Sequence, residues 1–370
     1  MNIEHYIAEL ESLVNVDCGT QTVHGVAQVA DTLAALWRQE GWHVTEVDLG
    51  SAVGPGLLVT NQPQATHYDV LLVGHMDTVF PAGTVAERPM SRDDSRLYGP
   101  GVSDMKSGLL NILWAMRELS AADKNRLSIA VAMNPDEETG SVYSDAWLSG
   151  LARNARAVLV CEAARADGSL VKARKGLAGY QLTFSGVAAH AGNDPEKGRS
   201  AITALANAVI AINALADMPR GTTLNMGVVS GGSASNVVAD RATAELDLRY
   251  WENSEYDRVH ARLEALCAEG FLEGVTTTLT RLNYKPAMAA SDGTAALMAL
   301  VEKAGEAEGI PVSWQAVGGG SDANHIAALG IPTLDGLGPI GAGFHSPAEW
   351  LDIASIAPRI RLLKRIVSML

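Results

Sequence analysis

Val70-Leu-Leu-Val-Gly74-His75-Met-Asp77 is an apolar run that stops abruptly at a histidine and a carboxylate. The apolar part reads as a buried strand, and residues two apart on a strand share a face, so His75 and Asp77 stand side by side at its end. A neutral imidazole is a good metal ligand, and a nearby carboxylate can orient the ring or hold a proton. Alone the pair is weak evidence, because buried His-x-Asp pairs are common in structural roles.

The next strand ends add to it. Leu97-Tyr-Gly-Pro-Gly-Val-Ser-Asp104-Met-Lys-Ser-Gly108 is a glycine-rich turn that delivers Asp104 to the start of a helical stretch, residues 108–119. The buried run at 128–134 ends in Pro135-Asp-Glu137-Glu138-Thr-Gly140, the run at 157–161 ends on Glu162, and Gly343-Phe-His345-Ser-Pro347 comes late in the chain. Carboxylates gathered without cationic partners repel one another, and a bound cation is the economical explanation. If His75, Asp104, Glu138, Glu162 and His345 all bind, their charge of roughly −3 leaves about +1 on a pair of divalent ions, enough for one hydroxide. Glu137, beside a ligand but not needed as one, is free to shuttle protons as general base and acid.

These segments resemble the zinc metallopeptidase family that includes glutamate carboxypeptidase (carboxypeptidase G), acetylornithine deacetylase and succinyl-diaminopimelate desuccinylase. The resemblance runs from Gly74-His-Met-Asp-Thr78 through Tyr98-Gly-Pro-Gly-Val-Ser-Asp-Met-Lys106, Asp136-Glu-Glu-Thr-Gly140 and His190-Ala-Gly192 to Gly318-Gly-Gly-Ser-Asp322 and His345-Ser346. It implies two Zn2+ ions, with Co2+ or Mn2+ as substitutes: His75 and Glu162 hold one, Glu138 and His345 the other, and Asp104 bridges. It also implies that Asp77 orients His75, that Glu137 is the catalytic acid/base, and that the peptide after Asp104 is cis. A glutamate at position 162 leans toward the glutamate carboxypeptidase branch.

Composition fits a large soluble enzyme. With 370 residues and 47% hydrophobic content, the chain can bury a full core and is more natural as two domains than as one. A formal charge of −14 argues against nucleic acid or an anionic membrane as partner, so an anionic substrate must meet a local basic cluster. The opening Met1-Asn-Ile-Glu-His-Tyr lacks the features of a secretory signal, and three widely spaced cysteines give no disulfide framework. Both point to the cytoplasm. Cys161, although next to Glu162, faces the other way on an alternating strand and reads as core.

Residues 3–13 and 25–40 have helical periodicity, and 43–47 reads as a strand. Strands and helices then alternate to Glu162, which predicts an α/β, doubly wound, mainly parallel sheet with its ligands at strand C-termini. The interval after residue 179 differs: strand 180–185, helix 200–215, strands 223–230 and 242–250, helix 255–269, strand 275–282. That order predicts an inserted ferredoxin-like α+β domain over 179–285, with 1–178 and 286–370 forming the catalytic domain. Helices at 294–308, 321–329 and 353–369 and a strand at 312–317 complete the latter. The resemblance makes the insertion a lid and the joint of a homodimer.

In the second domain the resemblance gives His190 a place near the scissile carbonyl, reaching across from the partner subunit, where it would hydrogen-bond the oxyanion. Asn236, Arg249 and Lys285 match substrate-contacting positions, although an interdomain salt bridge is the bland reading of Arg249. The turn through Gly319, Gly320 and Ser321 would cradle a substrate carboxylate with backbone N–H groups. Lys285 stands where the carboxypeptidase G branch has arginine, and lysine lacks the bidentate fork. Glutamate, aspartate, another acyl-amino acid and a dipeptide therefore stay open.

Two other classes compete with this one. Gly318-Gly-Gly320-Ser-Asp-Ala323, with Asp335 after the next strand, fits a dinucleotide fingerprint but leaves the five metal-type residues unexplained. A silent metal-binding or dimer scaffold does not need Glu137. The expectation is a dizinc hydrolase of the amide to a C-terminal or N-acylated amino acid, most similar to a glutamate carboxypeptidase, with an N-acyl-amino-acid deacylase or dipeptidase as the alternative.

Overall fold

Residues 1–370 are described in a computed structural model. The apolar run that ends at His75 forms the strand Val70–His75, buried along its whole length. It lies between Ile129–Asn134 and Val158–Val160, parallel to both, and Thr333–Leu334 continues the parallel set. On the other side Gly56–Thr60 and His43–Val47 add antiparallel strands, giving a six-stranded mixed sheet. The sequence reading did not include Gly56–Thr60, a five-residue apolar run whose pairing direction carries no periodic signal.

Helices cover this sheet because their apolar residues recur at helical spacing. Ile3–Val14 buries Tyr6, Leu10, Leu13 and Val14, and Val23–Gln39 buries Val26, Val29, Ala30, Leu33 and Trp37. Ser107–Arg117 is buried nearly throughout, and Ile353–Met369 packs against it and against Asp292–Glu308. A small antiparallel sheet orders Gly341–Ala342, Trp350–Asp352, Arg96–Tyr98 and Ser91–Arg92. It brings a late segment of the chain beside the glycine-rich turn after Tyr98.

The chain divides into two compact units: Met1–Ala173 with Ala290–Val317 and Ser321–Leu370, and Arg174–Ala289 with Gly318–Gly320. The second is built on an antiparallel sheet ordered Thr223–Gly231, Arg241–Tyr250, Gly176–Ser185, Thr276–Lys285. Helices Ala201–Asn213 and Asn253–Glu269 pack on one face, over Ala178, Tyr180, Leu182 and Phe184. The connection order and strand order are those of a ferredoxin-like fold. Strand Gly176–Ser185 starts earlier than its pattern suggested, because Gly176 and Leu177 pair with Tyr250 and Arg249. No helix is long and apolar enough to cross a membrane, and all three cysteines are unpaired.

Candidate metal centre

Asp104 divides its two carboxylate oxygens between two histidines. Oδ1 lies 3.3 Å from His75 Nε2, and Oδ2 lies 3.2 Å from His345 Nε2. Glu162 Oε1 is 3.5 Å from the first ring and Glu138 Oε2 is 3.3 Å from the second. Two groups able to hold an ion result, His75–Asp104–Glu162 and Asp104–Glu138–His345, and they share Asp104. The residues expected as metal ligands are brought together by the fold.

Each arrives from a strand end or tight turn. His75 is the last residue of its strand, and Glu162 follows the neighbouring strand Val158–Val160. Glu137 and Glu138 open a single 3₁₀ turn, Glu137–Thr139, after Ile129–Asn134. Asp104 lies in the turn before Ser107–Arg117, and its peptide to Met105 is cis, as the resemblance implied. His345 has a left-handed backbone, φ 58°, uncommon outside glycine and found where the surroundings fix it.

Asp77 sits just past the strand yet turns back to the site. Its Oδ1 is 3.2 Å from His75 Nδ1 and accepts the N–H of Glu137, while Oδ2 accepts the N–H of Glu138 and the hydroxyl of Thr20. Asp77 thus holds the ring, whose Nδ1 also lies 3.0 Å from the Asp77 main-chain oxygen, and through its carboxylate holds the turn carrying the two glutamates. The sequence reading found the first contact and missed the second, and it missed Thr20. It also missed Glu349, which is fully enclosed and accepts the N–H groups of Gly101, Ser103 and Asp104. Its only signal was a position four residues after His345.

Burial and the close approach of imidazoles and carboxylates shift the protonation of these groups. Burial disfavours the charged His75 ring, but Glu162, Asp104 and Asp77 outweigh it and hold its pKa well above the usual value. Burial raises Glu138 to about 7 and pushes Glu162 well up. Hydrogen bonds to Asp104 and Glu138 raise His345 to about 10. Against its own burial, Asp104 is held low by bonds to the two rings. Imidazole and carboxylate donors around one divided carboxylate suit two divalent ions of the zinc, cobalt or manganese kind. The His345 side chain is 57% exposed whereas that of His75 is 1% exposed, so the centre is open on one flank, as a catalytic rather than a structural site requires.

His190 is exposed in the second unit, and its Nδ1 accepts the N–H of Gly192 and of Asn193, so the neutral ring carries its proton on Nε2. Asn236 is close by, its carbonyl accepting Ala191 N–H. Arg249 and Lys285 flank Leu177 from either side on the sheet. Arg249 donates to Asp247 at 2.9 Å and to Gly318 O at 3.4 Å, and Arg174 donates to Gly319 O. Basic groups and the glycine turn therefore collect at one end of that sheet, close enough that Lys175, already lowered by burial, is lowered further by Arg249. The Ser321 hydroxyl is committed elsewhere: it accepts Ala323 N–H to cap Asp322–Ala328 and donates to Asp335. Asp335, wholly buried and bonded to Ser321 and Gly336 N–H, is no reader of a ribose, which removes support from the dinucleotide alternative.

The sequence profile described as peptidase family M20/M25/M40 matches residues 71–369. Carboxypeptidase G2 of Pseudomonas sp. (strain RS-16) is 30% identical over 98% of this chain and 88% of its own length. A succinyl-diaminopimelate desuccinylase of Acidovorax ebreus is 29% identical over 83% of this chain and 81% of its own. Among solved structures, aminopeptidase PepT from Bacillus cereus superposes with a TM-score of 0.82 at 27% identity, covering 100% of this chain and 99% of that one. With a match of that extent and a ligand set that fits a dinuclear metal site, the chain belongs to peptidase family M20/M25/M40, a family of metallo-hydrolases.

Proposed function

We propose that the protein is a dizinc hydrolase that cleaves the amide joining an acyl or peptidyl group to a free amino acid, as a glutamate carboxypeptidase-like exopeptidase. The division of the Asp104 oxygens between two histidine-containing groups, with Glu137 alongside, carries this reading. Two divalent ions, held by His75, Asp104, Glu138, Glu162 and His345, would supply Lewis acidity toward an amide carbonyl and toward water. Glu137, almost buried and fixed at its backbone by Asp77, takes the proton of the attacking water on its carboxylate and returns it to the leaving nitrogen. His190 offers its Nε2–H to the oxyanion, with Asn236 as a second polar contact. Arg249, Lys285 and the backbone of Gly319 and Gly320 take the substrate carboxylate, which a chain of net charge −14 must attract locally, whereas the Ser321 N–H is spent on Asn324 Oδ1.

The resemblance to carboxypeptidase G2 supports an acidic amino acid as the released product. Lysine at 285 leaves an N-acyl-amino-acid deacylase or a dipeptidase as the second reading, since an ammonium holds one carboxylate without a bidentate fork. A chromatographic screen of N-acyl amino acids, folates and dipeptides with zinc-, cobalt- and manganese-loaded protein separates them. Release of glutamate from acyl-glutamates ahead of other substrates supports the exopeptidase reading, and turnover confined to dipeptides replaces it. Absence of amide hydrolysis with any metal sinks both.

The protein works as a homodimer on this reading. Strand Thr223–Gly231 is a sheet edge with Val228 and Val229 exposed, and Ile202 and Ile210 are exposed on the helix packed along it. An unpaired edge beside apolar side chains favours pairing with a second copy.

A further inference from the structure

Glu349 lies on the same segment as His345, but its carboxylate faces the backbone of the turn carrying Asp104. Oε1 accepts Ser103 N–H at 2.8 Å and Asp104 N–H at 2.9 Å, and Oε2 accepts Gly101 N–H at 3.0 Å. Strands Arg96–Tyr98 and Trp350–Asp352 pair antiparallel next to it and hold the two segments in register. The contact is close-packed: a Cβ on Gly341 would lie 1.8 Å from Ser103 Oγ, and one on Gly343 would lie 2.3 Å from the Ala348 carbonyl oxygen. Burying a carboxylate costs solvation, and three main-chain donors offset that cost only while the turn keeps this shape.

We propose that Glu349 is a positioning residue that clamps the Asp104 turn to the His345 segment and pre-sets the Asp104–Glu138–His345 group before metal binds. The proposal rests on the two-ion reading of the centre. Two of that group's three residues belong to the clamped segments. The other group takes only Asp104 from them, since His75 and Glu162 stand at the ends of central sheet strands. The clamp therefore acts unequally on the two ions, whereas a residue that merely stabilised the fold would act on both or on neither.

Zinc titration of the metal-stripped full chain against a competing chelator tests this. The wild type should take up two ions. Glu349→Gln keeps the size of the side chain but sets an NH2 group against a main-chain N–H. The affinity of one ion should fall about 10–100-fold, the usual effect of losing a group that orients ligands, while the other ion is held nearly as before. In a His345→Ala background, which retains the His75 group, Glu349→Gln should add no further loss. Should Glu349→Gln fail to fold, hydrogen exchange on the wild type decides: the amides of Gly101, Ser103 and Asp104 should stay protected after zinc is stripped. Undiminished affinity for both ions, equal loss of both, or amide protection that disappears with the metal overturns the proposal. A wild type that binds a single ion overturns the two-ion reading itself.

Discussion

The backbone N–H of Glu137 donates to the Asp77 carboxylate at 3.2 Å, so the group that orients His75 also fixes the residue assigned to proton transfer. Asparagine at 77 has one acceptor oxygen for donors that now share two. Asp77→Asn should lower zinc affinity about 10–100-fold and should also lower kcat when zinc is saturating, because the Glu137 turn loosens. Thr20→Val, which removes only the hydroxyl bonded to Asp77 at 2.6 Å, should cost about 0.5–1.5 kcal/mol of stability. Chelator competition, kinetics at saturating zinc and thermal melts check the pair. Unchanged zinc affinity in Asp77→Asn would dismiss its orienting role.

Glu137→Gln should bind both ions and lose catalysis. An amide of the same shape cannot relay a proton, and the five candidate ligands are untouched, so kcat should fall at least about a hundredfold. Metal analysis of the purified variant beside its turnover is the measurement, and near-native kcat rules out the acid/base assignment.

Glu255 makes the second unit acid-sensitive in a defined window. It is buried, and bonds to Arg258 and Thr222 together with the charges of Arg258 and Arg220 hold its pKa down at about 2. The unfolded value is about 4.3, so the folded state binds its proton less readily. The stability this contributes is fully present above the unfolded value and is lost as pH falls through about 2. Glu255→Gln should lower the melting temperature near neutrality and flatten its pH dependence between about 4 and about 2. Parallel acid melts of wild type and variant that keep the same slope would show that the cluster is not the cause.

Mixing inactive Glu137→Gln with inactive His190→Ala under subunit exchange should restore activity, because one site of the heterodimer combines an intact Glu137 with an intact His190 from the other chain. Exchange without recovery excludes action in trans. An active monomer in sedimentation excludes the dimer first.

The grouping of the candidate ligand residues was legible because each stands where a pattern breaks: His75 and Glu162 after apolar runs, Asp104 in a glycine-rich turn, Glu138 in an acidic pair, His345 behind Gly343. Ile353–Met369 was legible over its full length, since its amphipathic stripe continues past Pro358. Other features depend on which segments meet. The bonds from Glu137 and Glu138 to Asp77 exist because loops from neighbouring parallel strands converge. The enclosure of Glu349 follows from the pairing of two three-residue strands, too short to leave a period. Ser321 read as part of an anion cradle, but a serine before a helix start is equally a cap, and its side-chain bonds are those of a cap.

The insertion of the second unit between Glu162 and His345 sets a timetable for biosynthesis. His75, Asp104 and Glu162 leave the ribosome before that unit is made, so one of the two candidate groups is complete in sequence early. The Asp104–Glu138–His345 group is complete only once His345 has been added, by which time the inserted unit has been made and can fold. A chain stopped before residue 345 would therefore hold one candidate group entire and the other without its histidine.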